Sequence, residues 1–146
     1  MKRHLTLTIA ILMFLVVAEI TAGAQVFGSK QIRAQIPFAF NVGNKTFPAG
    51  EYTVRVLNPN SDRCVLQIQS KDGRLSTLIH TTGITANERA NAKMVFKRYG
   101  DTYFFAQAQM AGDSTTLAAV KSNAQRNHER ALASNARKGT VTIDAE

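Results

Sequence analysis

IPFAFNVGNKTFPAGEYTVRVL, residues 36–57, alternates apolar and other side chains twice, with a turn-rich interval between. Ile36, Phe38, Phe40 and Val42 fall on one face at period two, the spacing of a half-buried strand. Pro37 has no N–H to give to a ladder, which suits an edge position or a strand start. Asn41 to Gly50 is rich in Asn and Gly, and Pro48-Ala49-Gly50 fits a type I turn with proline second and glycine fourth. Tyr52, Val54 and Val56 then mark a second strand. The stretch therefore predicts a two-stranded hairpin. Each of its residues has a structural reason except Asn44, Lys45 and Glu51, so any function of the hairpin would sit at its loop.

Working outward, the pattern repeats. Asn58 to Asp62 is a turn cluster, and Cys64 to Ser70 alternates with Leu66 and Ile68 inward. Asp72-Gly73 is a tight-hairpin signal of the type I′ kind. Arg74 to Thr82 predicts a fourth strand with Leu75, Thr77 and Ile79 on one face. Gly83 to Asn91 breaks the pattern and has room for a helical turn. Ala92 to Tyr99 and Thr102 to Met110 predict a hairpin around Gly100-Asp101. In the latter strand Phe104, Ala106, Ala108 and Met110 share one face while Tyr103 and Phe105 take the other, which implies cover on both sides. Ala111 to Thr116 reads as a loop. Leu117, Val120, Ala124, His128 and Ala131 recur at helical steps, so a helix is expected over Leu117 to Arg137, ended by Gly139. Thr140 to Ile143 either adds a short strand or frays. No βαβ rhythm is present. The expected fold is mostly β: one small antiparallel β-sandwich or partly open barrel of about six to seven strands, with a C-terminal helix.

The first residues set the compartment. Lys2, Arg3 and His4 precede an apolar run from Leu5 to Ala18, and Ala22-Gly23-Ala24 is a small-x-small cleavage site. This is a secretory signal pattern. Glu19 stops the run short of the roughly 20 apolar residues of a spanning helix. The domain reading is a signal peptide over 1–24, an antiparallel β domain over 25–116 and a C-terminal helix and tail over 117–146. Cleavage removes Lys2, Arg3 and Glu19 and takes the formal charge from +8 to +7. The positive residues are scattered, which fits a generally basic surface. The protein is expected to be secreted or periplasmic, with no transmembrane anchor after cleavage. Its single cysteine, Cys64, excludes an intrachain disulfide and reads as a small apolar strand residue.

Chemistry-bearing patterns are sparse. His80 and His128 stand far apart, and neither CxxC nor HExxH spacing occurs, so no metal site is assigned. There is no GxSxG. Gly112-Asp113-Ser114-Thr115 matches the start of one esterase signature, but no Asp-x-x-His follows, and a turn explains it. The carboxylates Glu51, Asp62, Asp72, Glu88, Asp101 and Asp113 are spread over turns and loops rather than paired. Tyr99, Tyr103 and Phe105 beside Lys97 and Arg98 resemble a stacking platform for single-stranded nucleic acid. The same rings serve as core, and export separates them from cytoplasmic nucleic acid, so no nucleic-acid partner is expected. Asn44-Lys45-Thr46 matches a glycosylation sequon. No catalytic, cofactor-binding or metal-binding residues and no cofactor follow from these patterns.

Several motifs carry a resemblance. They are the leader, Ile36-Pro37-Phe38 with Phe40, Val42-Gly43-Asn44-Lys45, Pro48-Ala49-Gly50-Glu51-Tyr52, Ser70-Lys71-Asp72-Gly73-Arg74, and Lys97-Arg98-Tyr99-Gly100-Asp101 within Phe96 to Phe104. Together they make the chain similar to a group of small, uncharacterised exported proteins of Acidobacteria. The resemblance implies a bacterial source and export, and no activity or site residues. The chain departs from the group's leucine-rich charged C-terminal helix, since Leu117 to Lys138 is richer in alanine and asparagine.

Three functions follow as expectations. The first is a non-enzymatic β domain binding an unknown envelope or extracellular partner. The second is a carrier holding an apolar or lipid ligand in a cavity lined by Phe38, Phe40, Tyr52, Val54, Phe96 and Phe104. The third is an enzyme with a site assembled from scattered polar residues. The leader makes one prediction at once: N-terminal sequencing of exported protein returns Gln25 as the first residue, and an intact leader would contradict the cleavage.

Overall fold

The computed structural model describes residues 30–61, 63–85, 91–131 and 138–146. The leader, the first part of Gln25 to Arg33 and most of the proposed helical turn in 83–91 lie outside these residues. Gln25 to Arg33 shows no clear period and reads from the sequence as an exposed lead-in, but its last three residues, Gln31 to Arg33, open a strand with Ile32 buried. β1 (Gln31–Ile36) is strictly alternating, with Ile32, Ala34 and Ile36 buried. It pairs antiparallel with β4 (Gly50–Val56), from Gln31↔Arg55 to Ile36↔Gly50.

This corrects the expected hairpin. Ile36 belongs to one strand and Phe40 to another, because the chain breaks at Pro37 to Ala39. The shared parity of Ile36, Phe38, Phe40 and Val42 hides that break. β2 (Phe40–Val42) and β3 (Lys45–Phe47) form a small hairpin inserted between the paired strands β1 and β4. Its turn is Gly43-Asn44, where Gly43 has φ +61° and Asn44 does not have positive φ, which fits a type II′ connection.

β5 (Val65–Ser70) continues the first half of the sheet beside β4. The turn after it departs from type I′: Gly73 is left-handed at φ +72°, Asp72 is not, and Asp72 instead accepts from the Ser70 hydroxyl and the Arg74 amide. β6 (Ser76–Thr85) is longer than the predicted strand. Its first half pairs with β5 and its second half with β9 (Thr115–Ala119), so β6 carries the sheet round a corner. β9 pairs onward with β8 (Thr102–Gln109). β8 pairs along its length with β7 (Lys93–Tyr99) across the Gly100-Asp101 turn, and the short β2 lies parallel to it through Phe40↔Tyr103 and Asn41↔Phe104.

The β7–β8 ladder slips by one residue: Val95 faces Gln107 while Phe96 faces Phe105, leaving Ala106 as the extra residue of a bulge. The bulge switches the core-facing parity of β8. Tyr103 and Phe105 point to the main core before it, and Ala108 and Met110 after it. Phe104 faces the opposite side, under α1 (Asn123–Ala131), with its ring 5.5 Å from that of His128. The two-sided cover read from the sequence is present, for this reason.

The helix is shorter than expected. Leu117 to Ala119 belong to β9, with Leu117 buried, and only Asn123–Ala131 are helical among the described residues. Ser122 caps it: its Oγ accepts from Gln125 N at 3.1 Å, the Ser-x-x-Gln pattern of a capping box. β10 (Lys138–Asp144) then pairs with β7 and completes a ten-stranded sheet, more strands than the six to seven predicted. The additional strands come from the break at Pro37, the β2–β3 hairpin and the two strands of the C-terminal segment. Arg33 of β1 and Glu146, two residues beyond β10, exchange backbone hydrogen bonds (N···O 2.7 and 2.9 Å), but no ladder joins β1 to β10 among the described residues, so the sheet is open rather than closed.

Both halves of the sheet bury one continuous core. Its centre is aromatic. Phe40 lies 5.0 Å from Tyr52, 5.2 Å from Phe96 and 5.5 Å from Phe47, ring centre to ring centre. Phe96 has no exposed surface and meets Phe38 and Phe105 edge-on as well. Truncating so large a buried ring typically costs about 3–5 kcal/mol. Phe96→Ala is therefore expected to lower the denaturant midpoint steeply in equilibrium unfolding, and a loss under about 1 kcal/mol would contradict this packing.

Candidate functional site

A cleft lined by several polar side chains lies where the β2–β3 turn, β6, the end of β9 and the start of α1 meet. Its volume is about 350 Å³, and Ile79, Phe104 and Phe105 contribute its apolar part. Each wall has a local cause. The type II′ turn presents Asn44. Asn41 is tied down behind it, donating to Tyr103 O at 3.4 Å and accepting from Thr46 Oγ1 at 2.7 Å. His80 stands on β6 at the corner, between the pair Val65↔His80 of one half and Thr81↔Ala119 of the other. The capped first turn of α1 presents Asn123 and Gln125.

Gln125 is 6% exposed, the most buried residue of α1. Its backbone N–H is satisfied by the cap, and its side chain lines the cleft. Among the described residues no buried side-chain nitrogen or oxygen lacks a hydrogen-bond partner. Asn44, His80, Asn123 and Gln125 offer hydrogen-bond donors and acceptors to the cleft. Among the described residues no carboxylate lines this cleft. Its side chains equip it for hydrogen bonding.

Lys121 stands at the rim and donates to Glu129 of α1 at 2.9 Å. The hydrogen bond and the adjacent charge hold the Glu129 carboxyl below its ordinary range and raise the Lys121 ammonium.

Other sequence candidates are dispersed. Tyr103 stacks on Phe38 at 4.0 Å and Phe105 packs on Phe96, both toward the core, while Tyr99 faces the α1 side with Phe104. They form no common platform. Arg98 lies over the Tyr103 ring at 5.7 Å. Cys64 is half-buried against the core and donates to Ser61 O at 3.3 Å. It lines a second cleft of about 520 Å³ that the Lys30–Asp113 ion pair (2.8 Å) borders. Gly112-Asp113 is a turn, with Gly112 at φ +74°. Glu51 pairs with Lys71 at 2.7 Å, which gives it a surface structural role. Among the described residues no three His, Cys, Asp or Glu side chains gather as a metal site, and no helix is long and apolar enough to cross a membrane.

The rings and aliphatic groups proposed for a carrier cavity pack on one another. Phe40, Tyr52, Val54 and Phe96 are essentially inaccessible, and none of them lines either cleft. Of that set, Phe104 lines the cleft beside α1.

Asn44 was marked by the sequence as lacking a structural reason, and it lines the cleft. Gln125 and His80 were missed as a pair, since only the fold brings them together; the Ser122-x-x-Gln125 capping pattern is the one local signal for Gln125. Comparison of the chain with protein-family models, curated proteins and solved structures found no match.

The Lys121–Glu129 pair makes a pH prediction. A carboxyl lowered in the folded state contributes stability that is complete above its unfolded value and is lost as pH falls through the lowered one. A carbon-detected NMR titration is expected to place the Glu129 midpoint below 4.5, and Lys121→Ala to return it toward 4.5. A midpoint unmoved by that substitution would contradict the pairing.

Proposed function

We propose that this chain is an exported, non-enzymatic binding domain of the bacterial envelope or extracellular space, a partly open β-barrel whose ligand site is the cleft beside α1. The observation that carries the reading is the convergence of Asn44, His80, Asn123 and Gln125, hydrogen-bonding side chains from a turn, a strand and a helix, on one cleft. The leader supports export, and the similarity to small exported proteins of Acidobacteria supports the same compartment. The bonds between Arg33 and Glu146 support the barrel description, since they bring the two end strands to one point. The ligand this cleft suits is polar, because amides, imidazole and the Lys121 ammonium at its rim match hydroxyl and carbonyl groups.

The carrier reading draws less support. The interior rings lie at contact distance, with centres 5.0 to 5.8 Å apart around Phe40, Phe47 and Tyr52.

The test compares the immobilised mature chain with its Gln125→Leu variant, which keeps the bulk and removes the amide. Both are exposed to native envelope extract, and retained proteins, lipids and glycans are identified by mass spectrometry. The wild type is expected to retain one molecular class at least tenfold better than the variant. Equal retention by both would remove the cleft as the site. Recovery of a stoichiometric apolar molecule from the purified protein by solvent extraction would favour the carrier instead.

A further inference from the structure

The opposite flank of α1 borders a different cleft. β7 and β10 pair with Lys97↔Thr140 and Tyr99↔Lys138, which sets these four residues side by side on the outer face of the sheet. Lys121 and Glu129 complete the cleft from the helix side, enclosing about 450 Å³. Arg98 also borders it, but its guanidinium is directed to the hairpin end, donating to Gly100 O at 2.6 Å and to Asp101 at 3.3 Å. Three lysines therefore share the cleft with one carboxylate, Glu129.

The partners of the three ammonium groups are incomplete. Lys97 donates to the Thr140 hydroxyl at 3.0 Å, a neutral acceptor, and Lys121 donates to Glu129. Lys138 forms no ion pair among the described residues. An ammonium has three donors, so each lysine retains capacity. The net charge of the four groups is +2, three lysines against one glutamate. Such an arrangement is matched by a group that spreads two negative charges over several oxygens, whereas a single carboxylate neutralises half of it.

We infer that the cleft between α1 and β10 binds a dianionic phosphate or sulfate group, with Lys97 and Lys138 as its direct partners and Lys121, held by Glu129, at its edge. This site is separate from the first cleft and does not depend on it. Lys121 borders both, so the two ligand groups would lie on either side of one helix.

The test is titration of isotope-labelled mature protein with inorganic pyrophosphate, followed by NMR at low and at physiological ionic strength. The inference expects saturable one-site shifts centred on Gly139, Thr140 and the Lys97 and Lys138 side chains. Affinity should fall about tenfold or more in the Lys97→Ala/Lys138→Ala double variant, stay close to wild type with Lys138→Arg, and be unchanged by Lys71→Ala. Unsaturable shifts spread over surface lysines, or shifts indifferent to the double substitution, would overturn it. Sedimentation with vesicles containing phosphatidic acid, whose phosphomonoester can carry two negative charges, then separates the sources. Vesicle binding lost in the double variant indicates a lipid headgroup, and its absence beside pyrophosphate binding indicates a soluble phosphate.

Discussion

The structure depends on how Phe40 is held. Its strand, β2, has two ladder partners on β8, too few to fix an element by hydrogen bonding alone. What seats it is the ring, which touches Tyr52 from one half of the sheet and Phe96 from the other. Tyr52 is fixed in turn, since its hydroxyl donates to Pro48 O at 2.6 Å just before β4 begins. Aromatic pairs in edge-on geometry add roughly 0.5–1.5 kcal/mol beyond the area they bury. A three-residue strand thereby becomes the join between the two halves.

That join also builds the cleft lined by Asn44 and Gln125. With Phe40 seated, the Gly43-Asn44 turn projects beside β6 and faces the start of α1. The helix is positioned independently, by the Ser122 cap and by the rings of Tyr99 and Phe104 beneath it. Phe104 is available on the outer face because the Ala106 bulge has switched the parity of β8, and Tyr99 reaches the same face from β7. A one-residue slip in a ladder thus supplies the landing surface for α1, and α1 supplies one wall of each proposed binding cleft.

How much of this is legible in the sequence follows the range of the signal. Alternation identified β4, β5, β7 and β8 because each is half-buried and bounded by turn residues. It misled at Pro37, where four same-parity apolar residues ran across two strands that pair with different partners. β1 itself, Gln31 to Ile36, alternates as cleanly as any strand, but the reading attached Ile36 to the wrong side of the proline. Leu117 sits at helical spacing from Val120 and Ala124, yet pairing with β6 and β8 overrides that weak preference. The bulge has no glycine to announce it, since Ala106 adopts it without positive φ. The clefts were beyond local reading altogether: Asn44, His80 and Gln125 come from three distant segments, as do Lys97, Lys121 and Lys138. The proposed export, by contrast, rests on one contiguous stretch, residues 1–24, read from the sequence alone.

The most direct test of this account is hydrogen exchange in the Phe40→Leu variant, which removes the ring and keeps an apolar side chain. If the ring seats the hairpin, backbone amides of 40–47 lose protection while those of β4 and β5 keep theirs, because the hairpin opens without global unfolding. Undiminished protection across 40–47, or an equal loss over the whole sheet, would contradict the role given to Phe40.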